Sequence, residues 1–343
     1  MIMNPIIKNL LIVILAFLFS VRGTKIAQRA ASHFGIVDKP DGRLKVQEAP
    51  IPYLGGLSIY ISFLVTLSLF FEFDQRALGL LLGGTLVMIL GLLDDLKAIE
   101  PYIKILGQLL AVAVLLKSGI HIDIIFLPGW QDTVLTIVWV LTLTNAFNII
   151  DIMDGLASGI SAIALLFLAI ISFLNGQYFI SAVSGALLGS ILGFILFNYH
   201  PAKIYLGDCG SLFLGFMLAS FSMIASYSQV SKLAVLSPLV LFGIPLFDLC
   251  YVIILRLLKK KSPFMGSRDH FAVRMRIKGM PIRNIVNICY VLCFVLGLAT
   301  VANTYITSLY SIILYGVVLL FFIVFGSVLA RIKVTEPTST VSV

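Results

Sequence analysis

Charge is what this sequence lacks. Only 12% of its 343 residues are Asp, Glu, Lys or Arg, whereas 60% are apolar, and an average soluble domain carries about 25% charged residues. That scarcity excludes a water-soluble globular protein, and no polar stretch is long enough for a separate soluble domain. Cysteine is scarce too: Cys209, Cys250, Cys289 and Cys293 form no CxxC pair, so neither a disulfide framework nor a zinc site is expected. No small-residue cleavage site follows the first apolar run, residues 6–21. Arg22, Lys25 and Arg29 follow it instead, and the run reads as a retained first span rather than a signal peptide.

What is present is a succession of apolar runs of about twenty residues, the length a helix needs to cross the hydrocarbon core. They predict an all-α, polytopic membrane protein with helical spans near 5–22, 52–71, 77–93, 103–119, 133–149, 158–174, 178–198, 209–227, 234–257, 284–303 and 308–330. Eleven spans put the termini on opposite sides. With the N-terminus outside, all of the 24 basic residues except Lys8, Arg76, Lys117 and Lys232 fall in inner segments, as the positive-inside rule requires. The net charge of +8 therefore describes loops at a membrane face and implies no nucleic-acid partner. The chain reads as one membrane domain over 1–343, with a disordered Ser/Thr-rich tail from about 335.

Of the 16 acidic residues, all except Glu72, Asp74, Asp123 and Asp132 also lie on the inner side. Acidic residues contribute little to topology, so this asymmetry has another cause. A charged intracellular substrate handled with a metal ion is the simplest.

Four constellations carry the chemistry. GLLDDLK, 91–97, places Asp94 and Asp95 side by side at the inner end of the third run; two carboxylates at a membrane boundary imply a cation or a shared proton. NAFNIIDIMDG, 145–155, spaces Asn148, Asp151 and Asp154 by three, a slanted row on a continued helix. Its hard oxygen donors suit Mg²⁺. PAKIYLGDCGS, 201–211, offers Asp208 either to a metal or as a helix cap, between two glycines. RDHFAVRM, 268–275, sets His270 four residues before Arg274, on one helix face turned to a diphosphate. The first inner loop adds VDKPDGR, 37–43, and PIPYLGG, 50–56, whose prolines stop helix and whose glycine pair allows close backbone approach. The remaining inner histidines, His33 and His200, read as structural.

In order and spacing, these motifs over residues 35–280 resemble those of the polyprenyl-phosphate N-acetylhexosamine-1-phosphate transferases, glycosyltransferase family 4, and within it the bacterial undecaprenyl-phosphate GlcNAc-1-phosphate transferases. The branch that transfers phospho-MurNAc-pentapeptide has a histidine-rich last inner loop, whereas this loop holds His270 alone. Two departures stand out. Gln47 and Glu48 occupy a region where the family carries a histidine, and Val273 precedes Arg274 where a histidine is common.

The resemblance implies transfer of HexNAc-1-phosphate from a UDP-sugar to undecaprenyl phosphate in the bacterial cytoplasmic membrane, with UMP leaving and the site on the cytoplasmic face. It implies Mg²⁺, with Mn²⁺ as a substitute, held by Asn148 and Asp208. Asp151 and Asp154 would act beside the metal or on the sugar nucleotide, and Asp94 and Asp95 on the lipid phosphate and its proton. Lys104, Asn145 and Arg274 are the expected substrate contacts, and His270 is assigned to the diphosphate or uracil end. The sequence leaves open a homodimer and the identity of the sugar. The rival from another class is an ion-coupled secondary transporter, which keeps its key charges near the bilayer midplane rather than at one face.

Overall fold

The computed structural model describes residues 4–38, 50–124, 128–262, 269–332 and 334. The Asp41 to Glu48 part of the loop expected to be the first inner one, Ser267 and Arg268, and the tail expected from 335 lie outside them.

The described residues form thirteen α-helices: α1 (Pro5–Phe34), α2 (Gly55–Phe70), α3 (Gln75–Leu96), α4 (Pro101–Lys117), α5 (Gly129–Ile149), α6 (Leu156–Leu174), α7 (Tyr178–Asn198), α8 (Gly207–Ile224), α9 (Ser237–Leu241), α10 (Gly243–Leu258), α11 (Phe271–Ile277), α12 (Ile282–Asn303) and α13 (Ser308–Ala330). Among the described residues, eight of these are long and apolar enough to cross a membrane, or nine if the bent pair ending in α10 is one span. The polytopic helical architecture is therefore as expected. Helices α2 and α4 have 16 and 17 residues, near the lower limit for a crossing.

Three departures have physical causes. Helix α1 does not stop near residue 22 but runs on to Phe34, 30 residues in all, and to a left-handed cap at Gly35, φ 70°, so Arg22, Lys25 and Arg29 ride on a helical extension. The run 234–257 is not one helix. A 3₁₀ turn, Lys232–Leu236, leads into α9, and α10 leaves it at 71°; Pro245, three residues into α10, has no N–H to carry a bond back across the break. A two-residue antiparallel pair, β1 (Val37–Asp38) and β2 (Ile51–Pro52), closes the base of the α1–α2 loop, with Val37 opposite Pro52 and Asp38 opposite Ile51.

Helices α6, α7 and α8 form the enclosed centre, and α13 and α1 are the least covered of the long helices. Helix α7 packs on α1 and α6, and α8 on α3 and α5. The α1–α7 contact uses Gly185, Gly189 and Gly193, a small residue every fourth position; a Cβ at Gly189 would lie 2.3 Å from the Val13 carbonyl oxygen. The exposed leucines, isoleucines and phenylalanines of α1 and α13 would be a liability in water and are ordinary surface in lipid. All four cysteines are free.

Candidate active site

The carboxylates gather where helices end. Asp94 and Asp95 occupy the last turn of α3, Lys104 the first turn of α4, Asn148 the last turn of α5, and Asp208 the first turn of α8. Two features hold the first turn of α8 in place. Its N-cap, Leu206, has no side chain able to accept a bond. Asp95 supplies the cap from α3 instead: Oδ1 accepts from the Asp208 N–H at 2.8 Å and Oδ2 from the Cys209 N–H at 3.0 Å, a carboxylate on the positive end of a helix dipole. Gly207 enables this with φ +74° and no side chain against Asp95, where a Cβ would lie 2.6 Å from Oδ2.

The PIPYLGG segment also docks here. The Gly55 and Gly56 N–H groups donate to the Tyr205 and Leu206 carbonyls at 3.1 and 2.8 Å, and the Tyr205 N–H donates to Pro52 O at 2.8 Å. The glycine pair thus serves approach to a neighbouring helix.

With its backbone capped by Asp95, the Asp208 side chain is free to face the cluster. Lys104 Nζ donates to its Oδ2 at 2.9 Å and also contacts Asp94 Oδ2. Asn148 Nδ2 donates to Asp208 Oδ1 and to Ser211 Oγ, both at 3.0 Å. Asp94 Oδ1 accepts from the Ile99 N–H at 2.8 Å. Asp94, Lys104, Asn148 and Asp208 are therefore one connected unit, and Asp95 stands behind it as its support.

The expected row of Asn148, Asp151 and Asp154 does not form on one helix face. Helix α5 ends at Ile149, and a turn leads to Gly155, φ +77°, at the head of α6. Asp154 turns to the α7–α8 loop, where Oδ2 lies 2.7 Å from His200 Nδ1 and accepts from the Ala202 N–H at 3.0 Å. These bonds fasten two loops to each other, with His200 as one of the partners. Asn145 also has a different partner: its amide donates to Gln108 Oε1 at 2.8 Å and to Leu141 O at 2.7 Å, tying α5 to α4.

Asp151 is the exception. Its carboxylate has no hydrogen-bond or cationic partner among the described residues. Burial, then the charges of Asp208, Asp95 and Asp154, hold its pKa well above the ordinary carboxylate range. Ionising it costs folding free energy once pH exceeds its ordinary value, and the whole cost is present above the shifted one. Asp151→Asn is therefore expected to raise the melting midpoint at about pH 8, with the gain shrinking to nothing as pH falls to about 4, the ordinary carboxylate value. Thermal unfolding in detergent at both pH values checks this, and an unchanged midpoint at the higher pH would mean the carboxylate has a compensating partner. Across the site, burial and then Asp154 and Asp38 push the Tyr205 hydroxyl up to about 12, which keeps it a donor.

His270 and Arg274 do not share a face as expected. His270 precedes α11 as its N-cap, with Nδ1 at 2.8 Å from Asp248 Oδ2 on α10. The Arg274 guanidinium, 2% exposed as a residue, donates to Asp269 Oδ1 at 2.8 Å and to the Ile332 carbonyl at 2.5 Å, with longer bonds to Leu329 and Ala330. It closes the end of α13 rather than waiting for a phosphate. Asp248 is the residue whose role the sequence reading missed; a lone acid within the apolar run GIPLFDLC was its signal.

Among the described residues no three His, Cys, Asp or Glu side chains are grouped to hold a metal. The donor set nevertheless fits Mg²⁺, which takes one or two protein oxygens and fills its remaining positions with water and substrate phosphate. Asn148 Oδ1 accepts no bond from a described residue, Asp208 sits beside it, and Asp151 adds an uncompensated carboxylate.

Helices with this much exposed apolar surface define an integral membrane protein, with a cluster of acidic side chains at their ends. Residues 77–226 match the model of glycosyl transferase family 4. The chain is 30% identical over 327 residues, 92% of itself and 91% of the relative, to the probable undecaprenyl-phosphate N-acetylglucosaminyl 1-phosphate transferase of Bacillus subtilis. It is 28% identical to the undecaprenyl-phosphate alpha-N-acetylglucosaminyl 1-phosphate transferase of Yersinia pestis, over 92% of this chain and 90% of that one. Similarity extends to the phospho-N-acetylmuramoyl-pentapeptide-transferase of Clostridium botulinum at 32%, over 65% of this chain and 75% of that one. The chain belongs to glycosyl transferase family 4.

Proposed function

We propose that the protein transfers N-acetylhexosamine-1-phosphate, specifically GlcNAc-1-phosphate, from its UDP-sugar to undecaprenyl phosphate. A lipid phosphate oxygen attacks the sugar-linked phosphorus, the bond to UMP breaks, UMP leaves, and a polyprenyl-diphosphate sugar remains as the first intermediate of a cell-envelope glycan. The observation that carries this reading is the charge of the site: among the described residues, the five carboxylates Asp94, Asp95, Asp151, Asp154 and Asp208 meet one lysine, Lys104, which touches Asp94 and Asp208 alone. Two anionic phosphate substrates bind such a surface only with a multivalent cation, and phosphoryl transfer needs positioning and charge neutralisation more than covalent chemistry from the protein. The relatives matched along more than nine-tenths of the chain are named for GlcNAc-1-phosphate transfer, which favours that sugar over MurNAc-pentapeptide, as does the lone His270 in its loop.

Asn148 and Asp208 would hold Mg²⁺, whose chemistry is to neutralise the diphosphate. Lys104, already between Asp94 and Asp208, is placed to share its ammonium with a phosphate. Asp94 faces the lipid phosphate; because a phosphate monoester has a second pKa of about 6, little proton removal is asked of it. Asp95 acts on the reaction by holding α8. Eleven crossings, with α2, α4 and the bent pair counted, would set the N-terminus outside and the site in the cytoplasm.

Sealed inverted membrane vesicles test function and orientation together. UDP-GlcNAc added outside should yield UMP, dependent on undecaprenyl phosphate and Mg²⁺, and right-side-out vesicles should yield none until permeabilised. No UMP from any UDP-HexNAc in permeabilised vesicles would revive the transporter reading, while equal rates in both sealed preparations would reject the topology.

A further inference from the structure

We infer that Asp248 is a positioning residue that fixes the tautomer of His270, so that Nε2 is the ring atom presented to the sugar nucleotide. The inference rests on the proposed transfer reaction, and its first observation is a buried carboxylate inside an apolar helix. Asp248 is 0% exposed, and a buried carboxylate is costly unless its oxygens are satisfied. Both are: Oδ2 meets His270 Nδ1 at 2.8 Å, and Oδ1 accepts the Phe271 N–H at 3.1 Å.

A carboxylate only accepts, so Nδ1 carries the proton. Nε2 is then the free position, and no described residue hydrogen-bonds to it. The N-cap position usually uses its side chain to bond its own helix, yet His270 makes no such bond. The neighbouring cations Lys259 and Arg274 both bind Asp269 Oδ1, at 2.5 and 2.8 Å, rather than Asp248. Helix α12, which follows α11, is bonded to the loops of the acidic site: Arg283 Nε donates to His200 O at 3.0 Å, and the Tyr290 hydroxyl donates to Gly155 O at 2.5 Å. The imidazole thus belongs to the same end of the bundle.

Asparagine at 248 could not replace both contacts. It offers one acceptor and an NH₂ donor; if the acceptor keeps the Phe271 N–H, the donor faces Nδ1 and drives the ring to the Nε2–H tautomer.

The chain has four histidines, so ¹⁵N-histidine-labelled protein in nanodiscs gives a readable spectrum, with His270 assigned by its loss in His270→Ala. Wild type should show a proton on Nδ1 and a bare Nε2, and Asp248→Asn should reverse them. UMP release should fall about 10- to 100-fold in Asp248→Asn, the usual scale for a residue that orients another, and Asp248→Asn should cost nothing further in the His270→Ala background. A wild-type ring protonated on Nε2 overturns the proposal without any activity measurement, even if Asp248→Asn folds poorly. So do independent losses in the double variant, or full activity in His270→Ala. Absence of UMP release by wild type would instead count against the transfer reaction, while the spectrum still reports on the tautomer.

Discussion

Asp208→Asn should lower UMP release by about 10²- to 10³-fold, the usual cost of removing one preorganised charge-stabilising group, and leave the melting midpoint near that of wild type. The substitution preserves shape and can keep the acceptor for Asn148 Nδ2, at 3.0 Å, or for Lys104, at 2.9 Å. What it removes is the charge that would hold the cation between protein and diphosphate. Stability should change little because the same charge is repelled by Asp94 and Asp95 and, among the described residues, is matched by one lysine, Lys104. Activity within tenfold of wild type would take Asp208 out of the reaction.

Gly91→Val is the second large effect, and it acts through packing. A Cβ at Gly91 would lie 2.4 Å from the Asp208 carbonyl oxygen and 2.5 Å from Cys209 Cα. Across the same turn, a Cβ at Gly56 would lie 2.2 Å from the Gly210 nitrogen. The first turn of α8 is therefore held between two bare backbones and has nowhere to go. Overpacking costs about 1–3 kcal/mol, and a displacement of about 1 Å near the reacting groups can cost about 10²-fold in rate. Gly84→Ala on the same helix is the control, because its Cβ would meet Met217 Sδ at 2.9 Å, the adaptable part of a flexible side chain. Melting and UMP release should rank Gly84→Ala well above Gly91→Val. Equal activity in the two would show that α8 tolerates the shift.

The sequence made the helices legible because lipid demands long apolar runs, and it made the acidic groups conspicuous because charge in such runs is rare. Partners were less legible. Asp95 bonds a backbone 113 residues away, Asp154 a histidine 46 away and Asn145 a glutamine 37 away, and nothing in local spacing encodes those pairings. Helical periodicity misled where the helix stopped: the threefold spacing of Asn148, Asp151 and Asp154 counts for little once α5 ends at Ile149. Arg274 shows the same limit, since a guanidinium can clamp a diphosphate or the end of a helix equally well, and the choice depends on α13. Pro245, three residues past the break at Phe242, was visible in the sequence and marked the ninth run as divided.

The cap that Asp95 places on α8 also bears on how the protein is made. A ribosome inserts α3 and α4 long before α8 leaves the exit tunnel, so during synthesis Asp94, Asp95 and Lys104 wait without Asp208. Only docking of α8 both completes the acidic unit and satisfies its own first N–H groups. Under the proposed assignment of the site, catalytic competence is tied to the docking of α8, and a nascent chain stalled before it would sit in the membrane as an inert fragment, unable to consume the lipid carrier.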